Sequence, residues 1–117
     1  HDHLLAVISH LPHVVAYALV NAAARAEAGL PGLLSYTGGG FRDFTRIAAS
    51  HPAMWRDICL DNRGEVLGAL DEFLAEAGRL RSLIAAGDGA GLEAAFAAAR
   101  VVRRSLAPAP PRDEARP

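Results

Sequence analysis

Lysine is absent from this chain: its 12 basic side chains are all arginine, against 13 acidic ones, for a formal net charge of -1. That balance excludes a basic field for nucleic acid and an acidic field for cationic partners. With abundant Ala, Gly and Arg beside it, the missing lysine reads as genome composition rather than function. Cysteine occurs once, at Cys59. An intramolecular disulfide framework is therefore excluded, and a reducing, cytoplasmic setting is expected. Methionine also occurs once, at Met54, while the chain opens on His1. A piece of a longer protein is expected, with part of its activity elsewhere. No apolar stretch is expected to reach membrane-spanning length, and none carries the charged lead-in of a signal peptide. No segment alternates with period two and no internal repeat is visible. A GxGxxG turn after a strand, a P-loop and a GxSxG elbow are all missing, so the chain has no sequence means of binding a dinucleotide alone.

What is there is helix. Of the 117 residues, 51 % are hydrophobic and 21 % charged, enough apolar material for a core. From Asp2 to about Ala28, the positions Leu4, Leu5, Ile8, Leu11, Val15 and Leu19 recur at three- and four-residue steps. Pro12 interrupts this run, and a kink is expected near Ser9–Pro12. Gly29–Gly32 should end the helix, and a loop should continue through Gly38–Gly40. A short helix follows over Phe41–Ala49. Ser50 is the expected N-cap of a third helix, with Pro52 in its first turn, running to about Leu60. Asn62–Ala86 is the longest regular pattern. There Val66, Leu70, Phe73, Ala77, Leu80 and Ile84 alternate four- and three-residue steps like a heptad seam. Gly64, Gly68 and Gly78 each weaken that helix by about 1 kcal/mol against Ala, so packing must hold it, and its length favours an interface between chains. Gly87 should stop it and Asp88 cap the last helix, about Gly89–Leu106, which turns Leu92, Phe96, Ala99 and Val102 inward. The Pro-rich, charged Ala107–Pro117 is expected to be unfolded. The fold class is all-α, with about five helices, one of them long, over residues 1–106.

Two polar constellations stand out. In "SHLPH", Ser9 to His13, the histidines His10 and His13 lie three apart and share a helical face. Such a pair can bind a transition metal, or present proton donors to an anion or carbonyl, or sit half-buried against backbone carbonyls. With "HDH" at His1–His3 it is also reminiscent of HD-type metal-dependent phosphohydrolases, but the further ligands such sites need are missing, and no metal is expected. The second constellation is "GGGFRDFTRIAASHPAMWRDI", Gly38 to Ile58. Asp43 and Arg46 lie three apart, and an aspartate beside an arginine can fix the guanidinium fork for a carboxylate or phosphate. Triple glycine lets backbone approach a ligand and precedes a helix start that favours anions. The alternative is a flexible loop beside a solvated surface of Arg42, Arg46 and Arg56. Trp55 is either a plate for a ring ligand or core. Cys59 reads as a small hydrophobe.

"HDHLLAVISHLPHVVAYALV" followed by "GGGFRDFTRIAASHPAMWRDICLDN" resembles the C-terminal helical domain of bacterial prephenate dehydrogenases and their arogenate-using relatives. The resemblance covers roughly His1 to Val102 and is densest from Ser9 to Asn62. It implies a homodimer formed through helical domains, each joined to an N-terminal Rossmann domain that binds NAD or NADP and supplies the catalytic histidine. It implies oxidative decarboxylation of prephenate to 4-hydroxyphenylpyruvate in tyrosine biosynthesis, with no catalytic residue in this chain. Carried over by motif, His13 would contact the substrate or the inhibitory product tyrosine, and Arg46 would hold a substrate carboxylate. Asp43 would orient that region, Gly39 would line the pocket through its backbone, and Trp55 would close a wall. Ser9 and His10 would face the cleft. His1 and Asp2 match the motif that opens the domain. A purely structural helical interaction module is the remaining alternative.

Overall fold

The computed structural model describes residues 1–106 and Pro108; the expected unfolded tail, Ala107–Pro117, otherwise lies outside the described residues. Helices account for nearly everything described, and no strand occurs among these residues. The order is α1 (Asp2–Leu5), a π-helical turn (Ala6–His10), α2 (Leu11–Gly29), a 3-10 turn (Leu33–Tyr36), α3 (Gly39–Thr45), a second 3-10 turn (Arg46–Ala49), α4 (Pro52–Asp61), α5 (Arg63–Ala85) and α6 (Gly89–Ser105). Counting the run from α1 to α2 as one, these make the five helices expected.

The expected kink at Pro12 takes a specific form. The N–H of Leu11 bonds the carbonyl of Ala6, five residues back, so the helix widens one turn before the proline. Proline lacks an N–H and its ring collides with the carbonyl four residues earlier. A widened turn moves the Ile8 carbonyl aside and lets the helix continue. Asp2–Gly29 is thus one helical run of 28 residues, longer than α5, and by length and composition apolar enough to cross a membrane. This corrects the expectation that no stretch reaches that length: the pattern was broken at Pro12, and the backbone is not.

Two compact units divide the chain, His1–Leu74 and Ala75–Pro117. In the first, Ala6, Val66 and Ala69 form the core, with Leu11 and Val14 packed against it, and Ala16 is also buried. The first helical run and α5 are tied at their starts. Asn62 Nδ2 donates to the Asp2 carbonyl at 2.9 Å, and His3 Nδ1 pairs with Glu65 Oε2 at 3.0 Å. Gly32, at φ 84°, makes the left-handed turn after α2, and the Leu34 N–H then bonds Glu27 Oε2 at 3.0 Å.

Two local expectations are corrected in this unit. Gly39 and Gly40 are the first turn of α3, with Gly38 as its extended N-cap, so the glycines open the helix instead of forming a loop before it. His51, not Ser50, precedes α4, and it caps with no side-chain bond. Ser50 instead gives its carbonyl to the Tyr17 hydroxyl at 2.9 Å.

The second unit holds the end of α5 and all of α6. Gly87, at φ 64°, ends α5, and Asp88 caps α6 by accepting from the Gly91 N–H at 2.9 Å, both as expected. Yet α6 buries no residue. Phe96 is 55 % exposed and Val102 61 %, which corrects their placement in a core, and Ala99 is exposed too. A helical period shows that one face is apolar; it does not say whether the same chain covers it.

Candidate functional site

The loop before α4 is tied to α2 by the Tyr17 hydroxyl, which donates to the Ser50 carbonyl at 2.9 Å. Pro52 starts α4 in a position where its missing N–H costs nothing. Trp55, one turn in, therefore meets the histidine face of the first helical run. The His13 imidazole stacks on the Trp55 indole, with centroids 3.4 Å apart and planes 15° from parallel. His10 meets the same indole edge-on, at 6.1 Å and 76°. The two histidines do share a face, as their spacing predicts, and Trp55 is what they face.

On the His13 side lies a cavity of about 280 Å³, lined by Val14, Tyr17, Asn21, Pro52, Arg56 and Cys59 together with His13 and Trp55. Its polar groups are few. His13 Nδ1 is 2.9 Å from the Ser9 carbonyl. Arg56 Nε donates to Asp57 Oδ1 at 2.9 Å, an exposed pair of small energetic weight that leaves the terminal guanidinium N–H groups available. Burial pushes the Cys59 thiol up from its ordinary range, so it stays neutral and behaves as the small hydrophobe expected. His10 opens on a different cavity, of about 240 Å³, with Asp2, Leu5, Ile58, Asp61 and Asn62.

The expected site residues therefore divide. His13 and Trp55 line one cavity, Ser9 holds His13 from behind, and His10 lines the other. Gly39, Asp43 and Arg46 line neither. All three are exposed, and among the described residues no ion pair joins Asp43 to Arg46. The pairing their spacing allows is thus not made, although Arg46 follows α3 directly in the 3-10 turn. Tyr17, Asn21, Arg56 and Cys59 were not singled out as site residues. A sequence signal existed for three of them: Tyr17 lies one turn after His13, Cys59 one turn after Trp55, and Arg56 beside Trp55. It became meaningful only once α4 was known to cross α2.

Among the described residues, no three of His, Cys, Asp and Glu gather as a metal-binding group. These residues also hold no strand with a glycine-rich turn after it.

A family model described as the dimerization domain of prephenate dehydrogenase matches residues 1–98. The chain is 43 % identical over 107 residues to the cyclohexadienyl dehydrogenase of Zymomonas mobilis, covering 91 % of this chain and 36 % of that protein. It is 42 % identical over 106 residues to the prephenate dehydrogenase of Bacillus subtilis, covering 91 % and 29 %. It also superposes on the crystal structure of prephenate dehydrogenase from A. aeolicus in complex with hydroxyphenyl propionate and NAD+. There the TM-score is 0.84 and the identity 39 %, over 92 % of this chain and 37 % of that one. The chain spans about a third of the length of these relatives.

Proposed function

Because this chain belongs to the family of prephenate dehydrogenase dimerization domains, we propose that it is the pairing and substrate-wall part of a longer dehydrogenase of tyrosine biosynthesis. The proposed reaction is oxidative decarboxylation of prephenate, or of arogenate, with NAD or NADP as hydride acceptor. A companion Rossmann domain would hold that dinucleotide and supply the catalytic residues. Residues 1–106 would act as one functional domain. The proposed partner is a second copy of the chain, with tyrosine as an inhibitor, in the cytoplasm and away from membranes and nucleic acid. Consistent with this placement, the apolar first helical run carries His10, His13, Tyr17 and Asn21 toward its neighbours or into cavities.

The observation that carries the proposal is the His13–Trp55 stack on the wall of the 280 Å³ cavity. That volume lies just under the range of about 300–1,000 Å³ common for small-molecule sites. Prephenate is a dianion on a six-membered ring, so its binding needs an apolar wall, a forked cation and a few neutral polar groups. Trp55 with Pro52 and Val14 supplies the wall, and Arg46 is proposed to hold a carboxylate, oriented by Asp43. Since Arg46, Asp43 and Gly39 lie outside the cavity of the single chain, they would complete the cleft together with the companion domain or second copy. Holding the carboxylate while charge disperses into the ring is positioning and electrostatic work.

The test is Arg46→Ala and His13→Ala in the complete dehydrogenase, with KM for prephenate and light scattering measured together. A KM raised at least tenfold with the dimer intact is expected. Near-normal KM in both variants would reduce the chain to a pairing module.

A further inference from the structure

The two histidines of "SHLPH" are held in opposite tautomers, and the difference bears on what the cavity selects. A carbonyl oxygen can only accept a hydrogen bond, so His13 Nδ1, 2.9 Å from the Ser9 carbonyl, carries the proton. In the neutral ring Nε2 is then a bare lone pair. Asn62 sets the other case. Its Nδ2 donates to the Asp2 carbonyl at 2.9 Å, which fixes which end of the amide is nitrogen. The same nitrogen lies 3.4 Å from His10 Nδ1, so that ring atom accepts, and His10 carries its proton on Nε2.

Around the cavity, Arg56 offers only donors, Asn21 offers an amide donor and an amide acceptor, and the Tyr17 hydroxyl, its proton given to Ser50, keeps only lone pairs. We infer that His13 works as a hydrogen-bond acceptor at this cavity, so that it selects a ligand presenting a donor, an ammonium or a hydroxyl, over one presenting an oxygen acceptor or nothing. Ligand selection rests on the dehydrogenase proposal; the tautomer does not. Ser9 thereby acquires a positioning role through its backbone, and Trp55 holds the ring plane that aims Nε2.

Two measurements on the complete protein at pH 8 separate these layers. Histidine labelled with 15N, observed through long-range proton–nitrogen correlations and assigned with His10→Gln and His13→Gln, reports which ring nitrogen bears the proton. The expected pattern is Nδ1–H for His13 and Nε2–H for His10. A His13 ring protonated on Nε2 overturns the inference whatever the protein binds. Calorimetry then compares two ligand pairs. For the hydroxyl, the pair is 3-(4-hydroxyphenyl)propionate and 3-phenylpropionate; for the ammonium, tyrosine and 4-hydroxyphenylpyruvate. The donor-bearing member of one pair should bind about fivefold tighter, the worth of about one net hydrogen bond. His13→Leu should remove that preference and His13→Gln, which can present its amide oxygen, should restore part of it. A preference that survives His13→Leu, or no preference in either pair, overturns the acceptor role. Failure of all four compounds to bind overturns the dehydrogenase reading and with it the selectivity, while the nitrogen spectra still decide the tautomer.

Discussion

Trp55 connects most of what is distinctive in this chain, since both histidines touch it and it walls the 280 Å³ cavity. It is half-buried, so Trp55→Ala should lower stability by about 2 kcal/mol, below the 3–5 kcal/mol of a fully buried aromatic. Urea denaturation measures this, and an unchanged midpoint would mean the stack is not held in solution. Cys59 gives a second check on the same wall. Its thiol is pushed up by burial, so iodoacetamide at pH 8 should label it several-fold more slowly than a cysteine in an unfolded peptide. The sign also follows for stability. The unfolded chain releases this proton first, so the fold loses a little stability as pH rises through the thiol range, and keeps it below. Labelling at the peptide rate would place Cys59 outside the wall. At this scale the sequence made His13 and Trp55 legible, because motif spacing alone puts them on helices. Arg56, Tyr17 and Asn21 stayed hidden, because their roles depend on how α4 crosses α2, which no local pattern encodes.

The helical elements were largely legible: α5 and α6 begin and end within a residue or so of their predicted bounds, on Gly87 and Asp88. What escaped was the response of a long helix to proline. A predicted kink became a π-helical turn, Ala6–His10, directly before Pro12, and the helix continued. That turn sets the phase between Ser9, His10 and His13. Replacing Pro12 with Ala returns an N–H and removes the ring, so the turn is free to tighten. Pro12→Ala should leave stability unchanged or raise it by about 1 kcal/mol, within the roughly 3 kcal/mol that proline costs inside a helix. It should also disturb the His13–Trp55 stack and weaken ligand binding. Higher stability with unchanged binding would show that the widened turn only accommodates the proline. The cap of α6 is simpler: Asp88→Ala removes the acceptor of the Gly91 N–H and should cost about 1 kcal/mol by thermal denaturation. A Cβ at Gly91 would meet the Asp88 carboxylate at 2.5 Å and Leu83 at 2.8 Å, so Gly91→Ala must displace those side chains.

For the whole chain, the decisive fact is how little it buries by itself. Among the described residues only Ala6, Ala16, Val66 and Ala69 are buried apolar residues, and three of the four carry a single methyl. Meanwhile Phe73, Ile84, Phe96 and Val102 stay exposed, and Phe73 and Ile84 belong to the seam that the heptad-like spacing of α5 marked as an interface. The sequence thus showed which faces are apolar, and the family supplies the reason one chain does not cover them: it is a dimerization domain. Phe73 is the sharpest place to test this. It lines an open apolar groove with Val7, Leu11, Gly68 and Ala69, beside His3 and Glu72. If a second copy covers that groove about a two-fold axis, each Phe73 counts twice. Burying one aromatic side chain is worth about 2 kcal/mol. Phe73→Glu should then weaken dimerisation by about a thousandfold, since every 1.4 kcal/mol is tenfold. Light scattering across a dilution series should show monomer where the parent protein is dimer, with helical circular dichroism retained. A variant that stays dimeric at the same concentrations would exclude this groove from the interface and move the search to α6, where Phe96→Glu is the matching substitution.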